Sequence, residues 1–435
     1  VIGKPLKVMI VGAGTGGLCL AQGLKLANVG VELFERDYSP TDRLQGYRLS
    51  IDAAGGKALR SCLPGALFEN LVDSSAKPSQ RVTFLDHRMN RLLAIDFPQS
   101  DRKGIDTELP VSRIALRRIL LEGLGSVIHF GKKFVAFEDA PDGAVTARFE
   151  DGSTATGDVL VGADGAGSHL RAQLLPDARR VETGILAITG KFCLGDDARQ
   201  ATPPEIFSGP TLILGPKGCF LFASAVEYGE RAYKASTHPN VGKVDPSAHF
   251  SVSYDRDEYV MWGFSARREK FGLPENPEAV DGEELKEAVA VLMHDWHPAL
   301  RSLIHRAECS TITAFPVKTS VPIPPWKTRN VTLLGDALHN MTPFRGIGAN
   351  TALRDAATLR RALVRVDRGE DELIPALAAY ERDMIEYGFW AVRASLKEME
   401  RLHADGILAR TFTKIFFRTI DRVPPLKVAF HRLGK

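Results

Sequence analysis

Residues 6–36, LKVMIVGAGTGGLCLAQGLKLANVGVELFER, constrain the fold more than any other stretch of the chain. The apolar, β-branched run from Leu6 to Val11 reads as a buried parallel strand. Leu18, Ala21 and Leu24 then recur at helical spacing, Asn28-Val29-Gly30 closes the helix, and VELFE forms the next strand. The junction carries Gly12-x-Gly14-x-x-Gly17. The first glycine permits a tight turn, the second lets a diphosphate reach the backbone, and the third lets helix and strand pack closely. The free N–H groups at the helix start favour an anion. Glu35 ends the second strand, where an acid can bind the hydroxyls of an adenosine ribose. A βαβ unit of this kind predicts dinucleotide binding through Gly12, Gly14, Thr15, Gly16, Gly17, Glu35 and Arg36. The glycines alone do not separate NAD from FAD.

The rest of the chain departs from a plain α/β repeat. RVTFLDHRMNRLLAIDF (81–97) reads as an antiparallel hairpin, and KFVAFEDAPDGAVTARFEDGS as another, turning at Pro141-Asp142-Gly143. Residues 181–270 read mostly as strands, including HFSVSY and EYVMWGFSA, and helices dominate from about 280 onward. At 435 residues the chain is too long for one simple core. The expected fold class is therefore α/β: a Rossmann-type nucleotide domain interrupted by an antiparallel β-sheet domain, with helices at the C-terminal side. The boundaries read as 1–78, 98–180 and 275–370 for the nucleotide domain, 79–97 and 181–274 for the sheet, and 371–435 for the helical region. A net charge of +3 implies no nucleic-acid partner. Five scattered cysteines argue for a reducing compartment. The first apolar run lacks a leader's pattern and nothing nears a membrane span of about 20 residues, so a cytoplasmic location is expected.

Two further motifs bear on the cofactor: Asp164-Gly165-Ala166-Gly167-Ser168-His169-Leu170-Arg171, and LLGDALHNMTPFRGIGANTALRDA at 333–356. With the first glycine turn, in this order and spacing, they resemble the fingerprints of the single-component FAD-dependent aromatic hydroxylases, the para-hydroxybenzoate-hydroxylase-like (group A) flavoprotein monooxygenases. The resemblance covers roughly residues 5 to 365.

That resemblance implies FAD as cofactor and NADH or NADPH as transient reductant. It implies hydroxylation of an aromatic small molecule, one of bulky polycyclic type, with dioxygen through a flavin C4a-hydroperoxide. Asp336 then accepts a hydrogen bond from a ribityl hydroxyl, and its place at a strand end suggests a buried carboxylate. Gly346, Ile347, Gly348, Ala349 and Asn350 bring a helix start to the flavin's pyrimidine edge, where fixed dipoles offset negative charge. Pro343 lines the face where oxygen reacts. Arg43 matches an arginine near the isoalloxazine, beside Gly46, and Arg113 one at the ribityl and phosphate region. Pro343, Gly346 and Arg43 are the residues nearest the chemistry. Asp164 belongs to the cofactor set but reads as a structural hydrogen-bonding residue.

Phe222, Trp262 and Phe264 lie in the antiparallel segment, which by resemblance roofs the substrate site; core packing explains each equally well. Arg345 stands where the family more often has a small or apolar residue, so it is a cation beside the flavin or a surface group. His339 reads as a general base or, more simply, a loop hydrogen-bonding residue. His294-Asp295-Trp296-His297 has metal-like spacing without further ligands, so no metal is expected. ARTFTKIFFRTIDR (409–422) is amphipathic and basic, suited to packing on the main body or to a membrane surface. Baeyer–Villiger oxygenation, flavin-dependent reduction, and a flavoprotein without catalysis are the alternatives on the same fold. A monomer or homodimer is expected.

Overall fold

The computed structural model describes residues 5–40, 42, 47–97, 108–140, 142–229, 258–423 and 426–427. Arg43, Gly46, Pro141 and the expected strand HFSVSY lie outside the described residues.

Two sheets organise the chain. The first is five-stranded, in the order Val331–Leu333, Val159–Gly162, Lys7–Val11, Gly30–Phe34, Ile128–His129. Every neighbouring pair in it is parallel. Its central strands are apolar on both faces because helices cover one side and a β-meander the other, where Phe149 packs on Phe34, so they lack the alternation of a half-exposed strand. The helix Thr15–Leu26 packs on one face, buried from Gly16 to Leu24. Gln22 fastens it to the helix Arg113–Leu121 by donating to the carbonyls of Leu120 (2.9 Å) and Glu122 (2.7 Å). The helix Gly348–Asp367 crosses beside it, where Arg360 Nε donates to the Gly23 carbonyl (2.9 Å). A three-stranded antiparallel meander, Phe134–Asp139, Val145–Phe149 and Thr154–Gly157, completes this layer.

The second sheet has seven strands in the order Thr313–Ser320, Arg180–Cys193, Tyr259–Arg267, Phe220–Val226, Thr211–Leu214, Arg81–Asp86, Arg91–Asp96. It is antiparallel except where Thr211–Leu214 runs parallel to Arg81–Asp86. The strand Thr313–Ser320 joins this sheet, although the sequence reading places residues 275–370 with the nucleotide domain. The helices Gly282–Leu292 and Pro298–His305 also cover the second sheet, through Leu285, Val289, Leu300 and Leu303. Their amphipathic pattern marks a covered face but not which sheet they cover.

The helix Leu373–Leu402 runs back along the first sheet's edge. The last described helix, Ile407–Arg422, lays Phe417 and Ile420 on Phe84, Leu92, Leu93 and Ile95 of the second sheet's edge hairpin. It therefore packs on the main body, while Leu408 and Phe412 on its other side stay exposed. No helix among the described residues is long and apolar enough to cross a membrane.

Candidate FAD and substrate cleft

The three glycine-bearing motifs meet in space because their glycines lack side chains. Gly12 has φ +105°, and a Cβ there would stand 2.4 Å from the Ala163 carbonyl oxygen, so the first and middle motifs are in backbone contact. A Cβ on Gly17 would stand 2.1 Å from the Gly12 carbonyl oxygen. One on Gly16 would stand 2.3 Å from Leu334 Cδ2, which brings the third motif against the first helix. Gly14 is different: it is exposed, begins the helix without a side-chain cap, and has nothing within 4 Å of its missing Cβ. That open space at unsatisfied helix N–H groups suits a diphosphate. Thr15 is half-buried beside it and Arg36 is exposed.

Glu35 is buried, and its carboxylate braces the turn. Oε2 accepts from the Ala13 N–H (2.7 Å) and Oε1 from the Asp37 N–H (3.0 Å). Arg117, not singled out in the sequence, donates from Nη1 to the Ala13 carbonyl (2.5 Å) and lies 3.8 Å from Asp37. Its spacing from Arg113, one helical turn, is the signal that could have found it. In the middle motif, Asp164 Oδ2 accepts from the N–H groups of His169 (2.9 Å) and Leu170 (3.3 Å), so it caps the short helix there. Ser168 Oγ accepts from the Arg171 N–H (2.8 Å). Arg171 reaches across to the Ala337 carbonyl (2.7 Å).

Asp336 is exposed, not buried as its place at a strand end suggests. The chain leaves the strand at Leu333 and turns through Gly335 at φ +64° before the one-turn helix Asp336–His339 starts, which swings the carboxylate outward. Arg113 and Arg180 flank it: burial lowers both guanidinium pKa values, and the Asp336 charge pulls both back up. Arg113 is crowded by protein yet still reaches solvent at the cleft.

Beyond this helix, Pro343–Arg345 form a 3-10 turn, and Gly346 follows at φ +65° with open space where a Cβ would be. Pro343 and Gly346 are exposed; Ile347, Gly348 and Ala349 are half-buried at the start of the long helix. Asn350 is buried, and its side chain is committed to protein: Nδ2 donates to the Ser50 carbonyl (2.9 Å) and Oδ1 accepts from the Asp52 N–H (3.0 Å). Only its backbone faces the helix start. Arg345 lies over the Trp390 ring (5.6 Å to the centroid), so it anchors the turn to the helix Leu373–Leu402. Phe344 anchors the other side, edge-on to His403 (4.9 Å) and Phe220 (5.9 Å).

The second sheet faces this turn with one set of alternating residues, and here the sequence reading needs correction. Trp262 and Phe264 have no exposed surface and pack with Leu285, Val289 and Trp296 under the covering helices. They share that face with Ala223 and Leu221, their register partners. Phe222 pairs with Gly263 and faces the opposite way, half-buried in the cluster that holds Phe344. A period of two sends Trp262 and Phe264 away from the cleft together. Thr189 and Phe315 belong to the cleft-side set, since Thr189 pairs with Gly263 and Phe315 with Ala187.

His339 is fully buried and bonds through Nε2 to Asp355 (2.7 Å), which excludes a solvent-side general base. Asp355 was missed in the sequence; its signal is an acid between Thr351 and Leu359 on the buried stripe of a helix. His297 caps the helix it precedes by accepting from the Ala299 N–H (3.2 Å). Among the described residues no group of three or more His, Cys, Asp or Glu could hold a metal ion.

A family model described as an FAD binding domain matches residues 243–386. The dual O-methyltransferase/FAD-dependent monooxygenase elcB of Phaeosphaeria nodorum is 32% identical over 390 residues, which cover 84% of this chain and 41% of that protein. The chain thus spans less than half the length of that relative. The FAD-dependent monooxygenase dbaB of Emericella nidulans is 30% identical over 82% of this chain and 87% of its own length. A crystal structure of a protein assigned as an FAD-containing monooxygenase from Photorhabdus luminescens superposes with a TM-score of 0.79 at 32% identity, covering 92% of this chain and 98% of that one. HpxO of Klebsiella pneumoniae, in complex with FAD and uric acid, shares the fold (TM-score 0.74, 22% identity, 95% and 93% covered). The chain belongs to the family of FAD-dependent monooxygenases.

Proposed function

We propose that this chain holds FAD across the cleft and, with NADH or NADPH and dioxygen, hydroxylates an aromatic small molecule. The observation that carries the reading is the contact of the three glycine motifs, Gly12 on Ala163 and Gly16 on Leu334, with open space at Gly14 and Gly346 and an exposed Asp336 carboxylate. These residues fit an extended dinucleotide. Gly14 and Thr15 would receive the diphosphate, Glu35 the adenosine ribose, Asp336 and Arg113 the ribityl chain, and the helix start at Gly348 the pyrimidine edge. Asp164 would shape the middle turn. FAD, when bound and reduced, would supply the electrons with which one atom of dioxygen enters the product and the other leaves as water.

The protein's own work is binding, orientation and exclusion of water. The first N–H groups of the helix Gly348–Asp367 present fixed partial positive charge where negative charge develops. Pro343 and Phe344 close one side of the cleft, and Phe222 with its cleft-side neighbours offers an apolar wall for a planar ring. Glycine at 263 leaves that wall flat: a Cβ there would meet only Thr189 Cγ2, at 3.5 Å. No side-chain nucleophile is needed for this reaction.

The test is direct. The purified chain should be yellow, and Asp336→Ala should lose most of its flavin; full retention of FAD by the variant would count against the assignment. Aromatic compounds that accelerate NADH or NADPH oxidation should consume oxygen and yield a product heavier by one oxygen on the ring. An ester product, or turnover without oxygen, would replace hydroxylation with a different reaction.

A further inference from the structure

One carboxylate oxygen grips both ends of the short helix that carries Asp336. Asp355 Oδ2 accepts from the Gly335 N–H (2.7 Å) and lies 2.7 Å from His339 Nε2. Gly335 precedes the helix Asp336–His339 and His339 ends it, so one carboxylate oxygen pins both ends of the turn. The other oxygen, Oδ1, accepts a short hydrogen bond from the Tyr387 hydroxyl. Asp355 has no exposed surface and His339 only 1%. A buried carboxylate is tolerated only when its charge is met by donors, and here three converge. An amide offers one acceptor oxygen and an apolar side chain none.

Tyr387 comes from the helix Leu373–Leu402, which carries none of the glycine motifs. The Arg354 guanidinium lies 3.7 Å from the Tyr387 ring centroid and holds the ring in place. The same helix grips the motif along its length. Tyr380 donates to the Leu333 carbonyl (2.9 Å) at the strand end, and the Ser395 carbonyl accepts from Thr342 Oγ1 (2.8 Å). Gly388 makes room for the His339 ring, since a Cβ there would stand 2.7 Å from His339 Cδ2.

We propose that Asp355, steadied by Tyr387, is the positioning residue of the Gly335–Asp336 turn, and that the helix Leu373–Leu402 is the splint that presents Asp336 to the flavin half of the cofactor. This rests on the reading that the turn holds the ribityl chain of FAD. Asp355 touches no cofactor; it acts through Asp336. Its effect is therefore confined to one end of the dinucleotide. The hydrogen-bond partners of Asp355 are Gly335, His339 and Tyr387, none of them in the diphosphate turn at Gly12–Gly17, which meets this motif through Gly16 against Leu334 and should bind ADP unaided.

The experiment compares titrations of the purified chain with FAD and with ADP, for wild type, Tyr387→Phe and Asp355→Asn. Tyr387→Phe keeps the ring under Arg354 and removes one hydroxyl, so it folds even where Asp355→Asn does not. The FAD dissociation constant should rise about tenfold in Tyr387→Phe, the size of one hydrogen bond to a charged group. The ADP constant should stay within about twofold. An equal loss for both ligands would mean a general loosening of the fold and would overturn the proposal, as would unchanged FAD affinity. Wild-type chain that binds ADP but not FAD would overturn the cofactor reading and this inference with it.

Discussion

Gly16 lies against Leu334: a Cβ on the glycine would sit 2.3 Å from Leu334 Cδ2, so the first helix and the strand leading to Asp336 touch only because residue 16 has no side chain. Gly17 is still tighter, with the Gly12 carbonyl oxygen 2.1 Å from its would-be Cβ, and backbone cannot move aside as a leucine methyl can. Gly14, three residues before Gly17, has empty space. The three glycines thus separate fold from ligand. Gly17→Ala should lower unfolding free energy by about 1–3 kcal/mol through overpacking. Gly14→Ala should cost less than about 1 kcal/mol, as a cap change, yet weaken FAD binding by at least about tenfold because the methyl group takes the diphosphate's place. Denaturant melts paired with FAD titrations check both; a Gly14→Ala chain with wild-type FAD affinity would show that the diphosphate lies elsewhere.

Asn350 links the third motif to Ser50 in the strand Arg48–Ile51 and to Asp52, the cap of the helix that follows, one through each atom of its amide. Gly55 is part of the same fit, because a Cβ there would stand 2.2 Å from Asn350 Oδ1. Asn350→Ala leaves the Ser50 carbonyl and the Asp52 N–H without their partners. The expected loss is about 1–3 kcal/mol of stability. Asn350→Asp keeps the acceptor for Asp52 but sets a carboxylate oxygen against the Ser50 carbonyl, so it should recover none of that loss at neutral pH. Urea midpoints of the two variants decide the matter.

The nucleotide-binding half is legible in the sequence because glycine there answers a steric demand. Gly12, Gly16 and Gly17 are required by contacts closer than any Cβ allows, and the apolar strands beside them are buried on both faces. The cleft's other wall is less legible. The identity of Trp262 and Phe264 marks them as aromatic, but only the pairing of Phe222 with Gly263 and of Ala223 with Trp262 decides which face each takes. Asp336 misleads for a related reason: a left-handed glycine at 335 reverses the direction in which the strand's last side chains point. Asp355 is visible only as an acid on an apolar stripe, and its partners lie on a helix that the motif pattern does not reach.

Two buried groups give opposite pH dependences over one window. Burial, with the nearby charges of Arg267 and Lys270, pushes the His403 imidazole down to about 4, against the pull of the Met399 carbonyl. His403 Nδ1 bonds to that carbonyl (2.8 Å), which can only accept, so Nε2 is the acceptor for the Ser265 hydroxyl (2.8 Å). An unfolded histidine titrates near 6.5, so the unfolded chain binds the extra proton first. The stability tied to His403 is complete above about 6.5 and falls as pH drops toward about 4, by roughly 3 kcal/mol at the limit.

Glu381 does the reverse. Burial raises its carboxyl to about 7, against the Thr328 hydroxyl that donates to Oε2 (2.5 Å). Trp326 and Thr332 lie close enough to favour its charge, but neither completes a hydrogen bond to the buried Oε1. An unfolded glutamate titrates near 4.3, so stability tied to Glu381 is complete below that and is lost as pH rises through about 7, again by roughly 3 kcal/mol. In the wild-type chain the two slopes largely cancel between about pH 4.5 and 6.5. His403→Gln, which keeps an acceptor for Ser265, should uncover the falling slope of Glu381. Glu381→Gln, which keeps one for Thr328, should uncover the rising slope of His403 and make the chain more stable than wild type at pH 8. Thermal midpoints of the three chains from pH 4 to 8 test this, and parallel curves for all three would show that neither group's pKa differs between the folded and the unfolded chain.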